Sequence, residues 1–272
     1  AMTAVQQLFG QGKAALLANV GTLVAPTTRA QYQAGNVPLP VNLFSHSDQQ
    51  SQWQSSLSDG SGRTGWAGRM GDLLAASNGN GGATCISLAG NNLWENGQVQ
   101  VSYKVSPSGN FGFDFYRAGA TSDPLSRGIT DLLATRRTSL FQQGWNDVIT
   151  RAIDNQRVLS DALSSAAFSD AFPGTGLGGQ LRMAARLIAA RGALGMRRQT
   201  FFCALGGFDT HGDDQLARQQ QLLGELSDAI GAFVAATAQL GVADKVTLFT
   251  ASDFNRTFAS NGQGSDHAWG SH

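Results

Sequence analysis

Residues 200–212, with the sequence TFFCALGGFDTHG, combine an apolar run with a polar turn. The run at 200–205 predicts a buried β-strand, and the two glycines after it allow a sharp turn of the backbone. That turn presents Asp209 and His211 just beyond the strand. Because ligands bind at the carboxyl ends of strands in open α/β sheets, this stretch predicts a functional site.

A second strand with a polar end follows along the chain. Residues 246–250 (VTLFT) predict this strand, and Asp253 and Arg256 lie in the polar segment after it. A long amphipathic helix is predicted between the two strands. Its apolar face comprises Leu223, Leu226, Ile230, Phe233, Val234 and Thr237. Alternating strands and helices predict parallel pairing, so we expect an α/β fold with three αβα layers and a mostly parallel sheet.

The chain is predicted to form one domain over residues 1–272, with 202–205 and 246–250 as central strands. Other elements follow from hydrophobic periodicity. They are a short helix at 3–12, buried strands at 14–24 and 83–89, helical structure at 129–167, and a helix with Leu181, Ala184, Ala185 and Ile188 on one face. Residues 90–128 are rich in Gly, Asn and Ser, and 99–105 alternate like a hairpin strand. We interpret 90–128 as an insertion that covers the site.

The overall charge argues against two classes of partner. Lys plus Arg and Asp plus Glu each number 19, so no net field attracts nucleic acid or an anionic membrane. No apolar run reaches the roughly 18 residues needed to cross a bilayer. Only 14% of residues are charged, a composition that suits an exported protein.

The two cysteines, Cys85 and Cys203, lie in strand-like apolar runs. Cysteines in such runs are most often small buried apolar residues, and neither belongs to a cluster typical of metal sites. A disulfide between them requires their strands to be neighbours.

All four histidines, His46, His211, His267 and His272, fall in polar motif segments, and none lies in the long predicted helices. Aspartates accompany two of these histidines. We therefore predict a metal site formed by Asp209, His211, Asp253, Asp266 and His267. Sets of imidazole and carboxylate suit zinc or manganese, whereas mostly carboxylate sets suit calcium or magnesium. The alternative interpretation is that these are exposed polar residues, with Asp253 as a cap or turn former.

Three further residues are candidates for catalysis. Ser45 stands at a predicted helix start, where a serine is most often the N-cap, but it could also act as a nucleophile. His46 could orient Ser45 or protonate a leaving group. Arg256 either neutralises a bound oxyanion through its planar guanidinium or only pairs with Asp253.

The order of several motifs carries a resemblance to a known family. GGFDTH at 206–211 precedes a helix of about thirty residues, which SDFNRT at 252–257 and DHAWG at 266–270 follow. Together with segments 16–24, 44–53 and 87–92, this order resembles the bacterial family called domain of unknown function 1501, which is placed near the alkaline phosphatases and sulfatases. The resemblance implies an alkaline-phosphatase-like fold whose N-terminal strand and C-terminal part are lacking here. Asp253 and Asn255 stand where Glu and Gly are more usual in the family.

Two functions remain open on the sequence alone. The first, which the resemblance implies, is an exported metal-dependent hydrolase of small anionic phosphate or sulfate esters, with a twin-arginine leader that is absent from this chain. The alternative is a non-catalytic surface or secreted protein that keeps the fold for binding or structure. A metal assay with ester substrates separates the two.

Overall fold

A computed structural model describes residues 2–79, 83–109, 115–164, 171–212 and 214–270. Eight α-helices lie in these ranges: α1 (Thr3–Gly10), α2 (Arg29–Ala34), α3 (His46–Ser55), α4 (Trp66–Leu74), α5 (Pro124–Ala134), α6 (Leu140–Ser164), α7 (Gly176–Ala189) and α8 (Gln215–Gln239). The helices predicted at 3–12, around 181–188 and between the two C-terminal strand runs are confirmed. Residues 165–167, predicted as helical, and His272 lie outside the described residues. None of the helices in these ranges combines the length and hydropathy that crossing a bilayer requires.

Three short strands form a parallel sheet. They are β1 (Cys85–Ser87), β2 (Tyr103–Lys104) and β3 (Thr200–Phe202), in the order β2-β1-β3. Ile86 of β1 lies opposite Tyr103 on one side and Phe201 on the other. The prediction of a mixed α/β fold with a parallel sheet is therefore confirmed. The strand predicted within 99–105 pairs in parallel with β1 and does not form a hairpin with it.

Helices cover β1 on both of its faces. Ile86 belongs to the main apolar cluster with Met183 and Leu187 of α7, and all three side chains are fully buried. Cys85 points to the opposite face, because neighbouring strand residues alternate between faces. A Cβ atom added to Gly71 of α4 would lie 2.5 Å from the Cys85 sulfur. Burying a side chain such as Leu187 contributes about 1.5–3 kcal/mol to stability.

Glycines on α4 allow close approach of the segment that follows β1. A Cβ atom on Gly65 would lie 2.1 Å from the Leu93 carbonyl oxygen, and one on Gly68 would lie 2.1 Å from the Asn96 carbonyl carbon. The amide of Gly68 donates to the Trp94 carbonyl oxygen at 2.9 Å. Residues 90–128, interpreted above as a covering insertion, thus bury Trp94 against α4 and supply strand β2 to the sheet.

The two thiols are free, although their strands are neighbours. Cys85 lies opposite Thr200, so Cys203 is displaced from Cys85 by three residues along the sheet. Three residues of strand span roughly 10 Å, beyond the separation of about 7 Å that a disulfide can bridge. Burial raises the pKa of both thiols, that of Cys203 to about 12.

The prediction that 246–250 forms a central strand is wrong. This segment joins no strand pairing among the described residues, and β3, the other predicted central strand, lies at the sheet edge and ends at Phe202. Val246 and Leu248 still pack against the apolar core, and Phe249 stacks on Trp66 with a centroid distance of 5.6 Å. The apolar pattern therefore reflects the packing of half-buried side chains, Val246 and Leu248, without a backbone partner among the described residues.

The buried strand predicted at 14–24 is also wrong. This segment has no regular structure, and Leu16, Leu17, Val20 and Leu23 are exposed. Apolar residues form a strand only where a neighbouring strand satisfies the backbone groups, and no such pairing reaches 14–24 in the described parts of the chain.

Candidate functional site

A strained turn places His46 at the start of α3. Asn42 and Phe44 both have positive φ angles, of 49° and 71°. A bulky residue in this region is uncommon and is found where the surroundings enforce it. Ser45 is the N-cap of α3: its hydroxyl accepts from the Asp48 amide at 3.5 Å and donates to Asp48 Oδ2 at 2.5 Å. The cap predicted for Ser45 is confirmed.

Asp253 fixes the orientation of His46. The two side chains meet at 2.7 Å between His46 Nδ1 and Asp253 Oδ2, and Gln50 Nε2 donates to the same oxygen at 2.9 Å. A carboxylate accepts, so His46 donates through Nδ1, and in the neutral imidazole Nε2 then keeps a lone pair. His46 Nε2 is buried, has no hydrogen-bond partner among the described residues and lies 3.3 Å from Asp209 Oδ2.

His267 is held in the same tautomer from another part of the chain. Its Nδ1 donates to the Phe44 carbonyl oxygen at 2.7 Å, since a carbonyl can only accept. In the neutral imidazole its Nε2 therefore also carries a lone pair, and this atom lies 3.0 Å from Asp209 Oδ1. An antiparallel bridge between Arg256 and His267 aligns the two C-terminal segments.

Phe254 fixes the two imidazole rings by packing. It is buried, and its ring centroid lies 4.6 Å from that of His46 and 4.5 Å from that of His267. The two imidazole centroids are themselves 4.6 Å apart in an edge-on arrangement. Phe254 thus limits the rotation of both rings.

Asp209 is the centre of the cluster. The turn at Gly207, whose φ is 95°, leads from β3 to Asp209. Asp209 Oδ1 lies 2.7 Å from both His211 Nε2 and Arg256 Nη2. Burial acts to raise the pKa of Asp209, but the contacts of its carboxylate with His267, Arg256 and His211 outweigh burial and hold the pKa well below its ordinary value. Asp209 is therefore a carboxylate at neutral pH.

The predicted metal ligands, together with His46, which was predicted as a catalytic residue, fall into an inner and an outer group. His46, Asp209 and His267 each offer one ligand atom, and these three atoms lie within 4.8 Å of one another. His211 is adjacent, with its Nε2 3.0 Å from His267 Nε2. Asp253 lies behind His46, while Asp266 lies 3.5 Å from His211 Nδ1 and accepts from Asn261.

Sequence reasoning assigned His46 to catalysis and did not include it among the ligands. Its contact with Asp253 joins residues 207 positions apart, and no local pattern encodes that contact. The roles of Phe44 and Phe254 were missed for the same reason. The concentration of histidines in polar segments was the signal that could have included His46 in the ligand set.

The chain belongs to the family described as "Protein of unknown function (DUF1501)", whose family model matches residues 2–272. No curated protein and no solved structure matches the chain.

Proposed function

We propose that this member of the DUF1501 family is an exported metal-dependent hydrolase of phosphate or sulfate esters with an alkaline-phosphatase-like fold. The proposal unites the cluster around Asp209 with the family resemblance carried by the sequence motifs. Export is proposed because the chain is rich in uncharged polar residues and only 14% of it is charged.

One observation carries the proposal. His267 Nε2 and Asp209 Oδ1 face each other at 3.0 Å, and His46 Nε2 and Asp209 Oδ2 at 3.3 Å. His46 and His267 both donate through Nδ1 to other groups. In their neutral tautomers, each Nε2 lone pair therefore faces an oxygen of the Asp209 carboxylate, and both of these atoms are hydrogen-bond acceptors. Such pairs require a cation between them, either an added proton or a metal ion. The buried lone pair of His46 Nε2, which has no partner among the described residues, favours a metal ion.

The donor set fits a divalent transition metal. Two imidazole nitrogens and one carboxylate suit zinc or manganese better than calcium or magnesium. Tetrahedral zinc places its ligand atoms about 3.3 Å apart. His46 Nε2 lies 3.3 Å from Asp209 Oδ2 and His267 Nε2 lies 3.0 Å from Asp209 Oδ1, and the three ligand atoms of the set lie within 4.8 Å of one another. Three protein ligands leave a position for water or substrate, and His211 is near enough to serve as a fourth ligand. When bound, the metal would supply positive charge against a developing oxyanion.

Arg256 is proposed to hold the substrate oxyanion. Its guanidinium donates to Asp209 Oδ1 and to the Phe208 carbonyl oxygen at 3.1 Å, so it is fixed at the edge of the cluster. A planar guanidinium can offer two parallel donors to a phosphate or sulfate group. The net charge of zero gives the protein no general attraction for anions, so such a local clamp is needed.

Ser45 is proposed as the nucleophile, with Asp48 as the group that accepts its proton. Ser45 Oγ would form a bond to phosphorus or sulfur while the ester oxygen leaves, and its proton would pass to Asp48, 2.5 Å away. The leaving oxygen would take a proton from water, which leaves hydroxide. A second water would then add its oxygen to phosphorus or sulfur and return a proton to Ser45 Oγ, and the proton held by Asp48 would neutralise the hydroxide. Because Asp253 holds His46 Nδ1, His46 is better suited as a ligand than as the acid for the leaving group.

A non-catalytic binding protein is the second candidate. The Ser45 hydroxyl is already engaged in the cap of α3, and Arg256 is already paired with Asp209 at 2.7 Å. Both groups would have to exchange these contacts to act on a substrate. This observation favours a protein that uses the cluster to bind an ion without turnover.

Turnover of aryl phosphates and aryl sulfates with zinc, manganese, magnesium or calcium separates the two functions. Ser45→Ala should lower turnover by at least about a hundredfold. Thr175→Ala is the matched control, because Thr175 caps α7 in the same way, with its hydroxyl accepting from Gly178 at 3.1 Å. Equal turnover in Ser45→Ala and Thr175→Ala would leave Ser45 as a cap only. A wild-type protein that turns over no ester with any of the four ions would favour the binding protein.

A further inference from the structure

Arg256 and His267 contact the same oxygen of Asp209. Arg256 Nη2 lies 2.7 Å from Asp209 Oδ1, and His267 Nε2 lies 3.0 Å from it. A metal ion bound between Asp209 and His267 would therefore take up the oxygen that Arg256 contacts. The guanidinium of an arginine always carries a positive charge in proteins. A metal ion and Arg256 thus compete for one carboxylate.

Arg256 is held in place by more than its contact with Asp209. Its Nη2 donates to the Phe208 carbonyl oxygen at 3.1 Å, and its Nη1 donates to the Ser265 carbonyl oxygen at 3.3 Å. Its backbone forms the bridge to His267, and its side chain is only 20% exposed. These contacts remain when the one with Asp209 is lost, so Arg256 stays beside the cluster.

The positions of Asp209 and Arg256 bring the two cations close together. Bonds from zinc to a carboxylate oxygen are about 2.0–2.2 Å long. Because Arg256 Nη2 lies 2.7 Å from Asp209 Oδ1, an ion on that oxygen would stand no more than about 5 Å from this nitrogen. Like charges at this separation repel one another, and the repulsion is stronger in a partly buried site than in water. Arg256 therefore weakens the binding of a metal ion to Asp209 when no anion is present.

A tetrahedral oxyanion relieves this repulsion. One of its oxygens can contact the metal ion while another accepts from Arg256, so one negative group neutralises both cations. The metal ion also draws electron density from Asp209 Oδ1, which weakens the hydrogen bond that Arg256 Nη2 donates to this oxygen. That N–H group then becomes available to the anion. Each ligand therefore makes the binding of the other more favourable.

We propose that Arg256 couples metal binding to oxyanion binding, so that each ligand tightens the binding of the other. The coupling factor is the same in both directions, as thermodynamic linkage requires. The inference rests on the metal centre of the proposed function, but it requires neither Ser45 nor turnover. The site would thus hold its ion tightly only together with a phosphate or sulfate group.

Titration calorimetry of the wild type with zinc, in the presence and absence of sulfate, tests the coupling. Nitrate keeps the ionic strength equal in the titration without sulfate. Sulfate should tighten zinc binding at least about tenfold, and zinc should tighten sulfate binding by the same factor. Zinc binding with the same affinity in sulfate and in nitrate would overturn the proposal.

Variants at Arg256 identify the group that carries the coupling. Without sulfate, Arg256→Gln should bind zinc at least about threefold more tightly than the wild type, because it removes the competing cation. Sulfate should then change its zinc affinity less than about twofold. Arg256→Lys keeps the charge and should bind zinc no more tightly than the wild type. Arg218→Gln is the matched control, since Arg218 lies beside Gly207, donates to Gln221 at 3.1 Å and forms no ion pair with Asp209 among the described residues.

The outcomes separate this inference from the proposed function. Weaker zinc binding in both Arg256→Gln and Arg256→Lys would show that Arg256 only supports the shape of the site, and would overturn the coupling. Ester turnover by a wild type whose zinc affinity does not depend on sulfate would overturn the coupling alone. A wild type that shows the coupling but turns over no ester would leave this inference standing and reject the hydrolase. A wild type that binds no zinc would overturn both.

Discussion

His267 Nδ1 donates to the Phe44 carbonyl oxygen at 2.7 Å, which joins two segments 223 positions apart in the chain. The contact fixes the tautomer of His267 and directs its Nε2 towards Asp209. Asp253 does the same for His46 from the opposite side. The geometry of the cluster therefore depends on the groups behind the imidazoles as much as on the imidazoles themselves.

Variants at Asp253 distinguish a positioning role from direct ligation. If Asp253 only orients His46, then Asp253→Asn keeps an acceptor for Nδ1 and most of the metal affinity, while Asp253→Ala loses about 10- to 100-fold. Titration calorimetry with zinc or manganese measures both. Asp228→Asn, an exposed change on α8, is the control. A loss in Asp253→Asn as large as that in Asp253→Ala would show that Asp253 ligates the ion directly.

Glu95 should make stability fall as the pH rises. It is fully buried, and burial raises its pKa to about 7, although Asn92, Ser102 and Thr200 donate to it. With an unfolded pKa near 4.3, the folded state binds the extra proton between about pH 4 and 7, so stability declines across that window by at most about 4 kcal/mol.

Chemical denaturation at pH 5 and pH 8 measures this decline. Glu95→Gln cannot titrate and should reduce the difference between the two pH values, whereas Glu225→Gln, a partly exposed change on α8, should leave it unchanged. An equal pH dependence in the wild type and in Glu95→Gln would contradict the assignment.

Gly68 should tolerate no side chain. A Cβ atom there would meet the backbone of Asn96 and Gly97 at 2.1 to 2.4 Å, so Gly68→Ala must separate α4 from the segment that follows β1. We expect a loss of about 2 kcal/mol or more in the free energy of unfolding. Gly128→Ala is the matched control, since nothing lies within 4 Å of a Cβ atom at this position in α5. It should stabilise the protein by up to about 1 kcal/mol, and a similar loss in both variants would refute the close contact at Gly68.

Sequence patterns predicted correctly those helices and turns whose structure depends on the local pattern of side chains. The apolar faces of α7 and α8 and the corner at Asp209 and His211 could be read locally, because periodicity and glycine positions encode them. The same patterns failed at 14–24 and 246–250. An apolar run shows that side chains can be buried, but it does not show whether another strand lies beside the backbone.

The sequence predicted which residues belong to the site better than it predicted how they are arranged around Asp209. Asp209 and His267 were assigned as ligands from adjacent acidic and histidine residues, and both belong to the inner group. The inclusion of His46 and the outer positions of Asp253 and Asp266 depend on contacts between distant segments. Such contacts follow from the tertiary fold, which no spacing in a single sequence specifies.

Metal binding by the wild type and by two histidine variants tests the central claim most directly. After exposure to zinc or manganese and removal of free ions, the wild type should retain about one equivalent by elemental mass spectrometry. His46→Ala and His267→Ala should each lower the affinity at least tenfold, because each removes one of three convergent ligand atoms. Asp228→Ala should bind as the wild type does. A wild type that retains no ion, or two histidine variants with undiminished affinity, would contradict the metal centre.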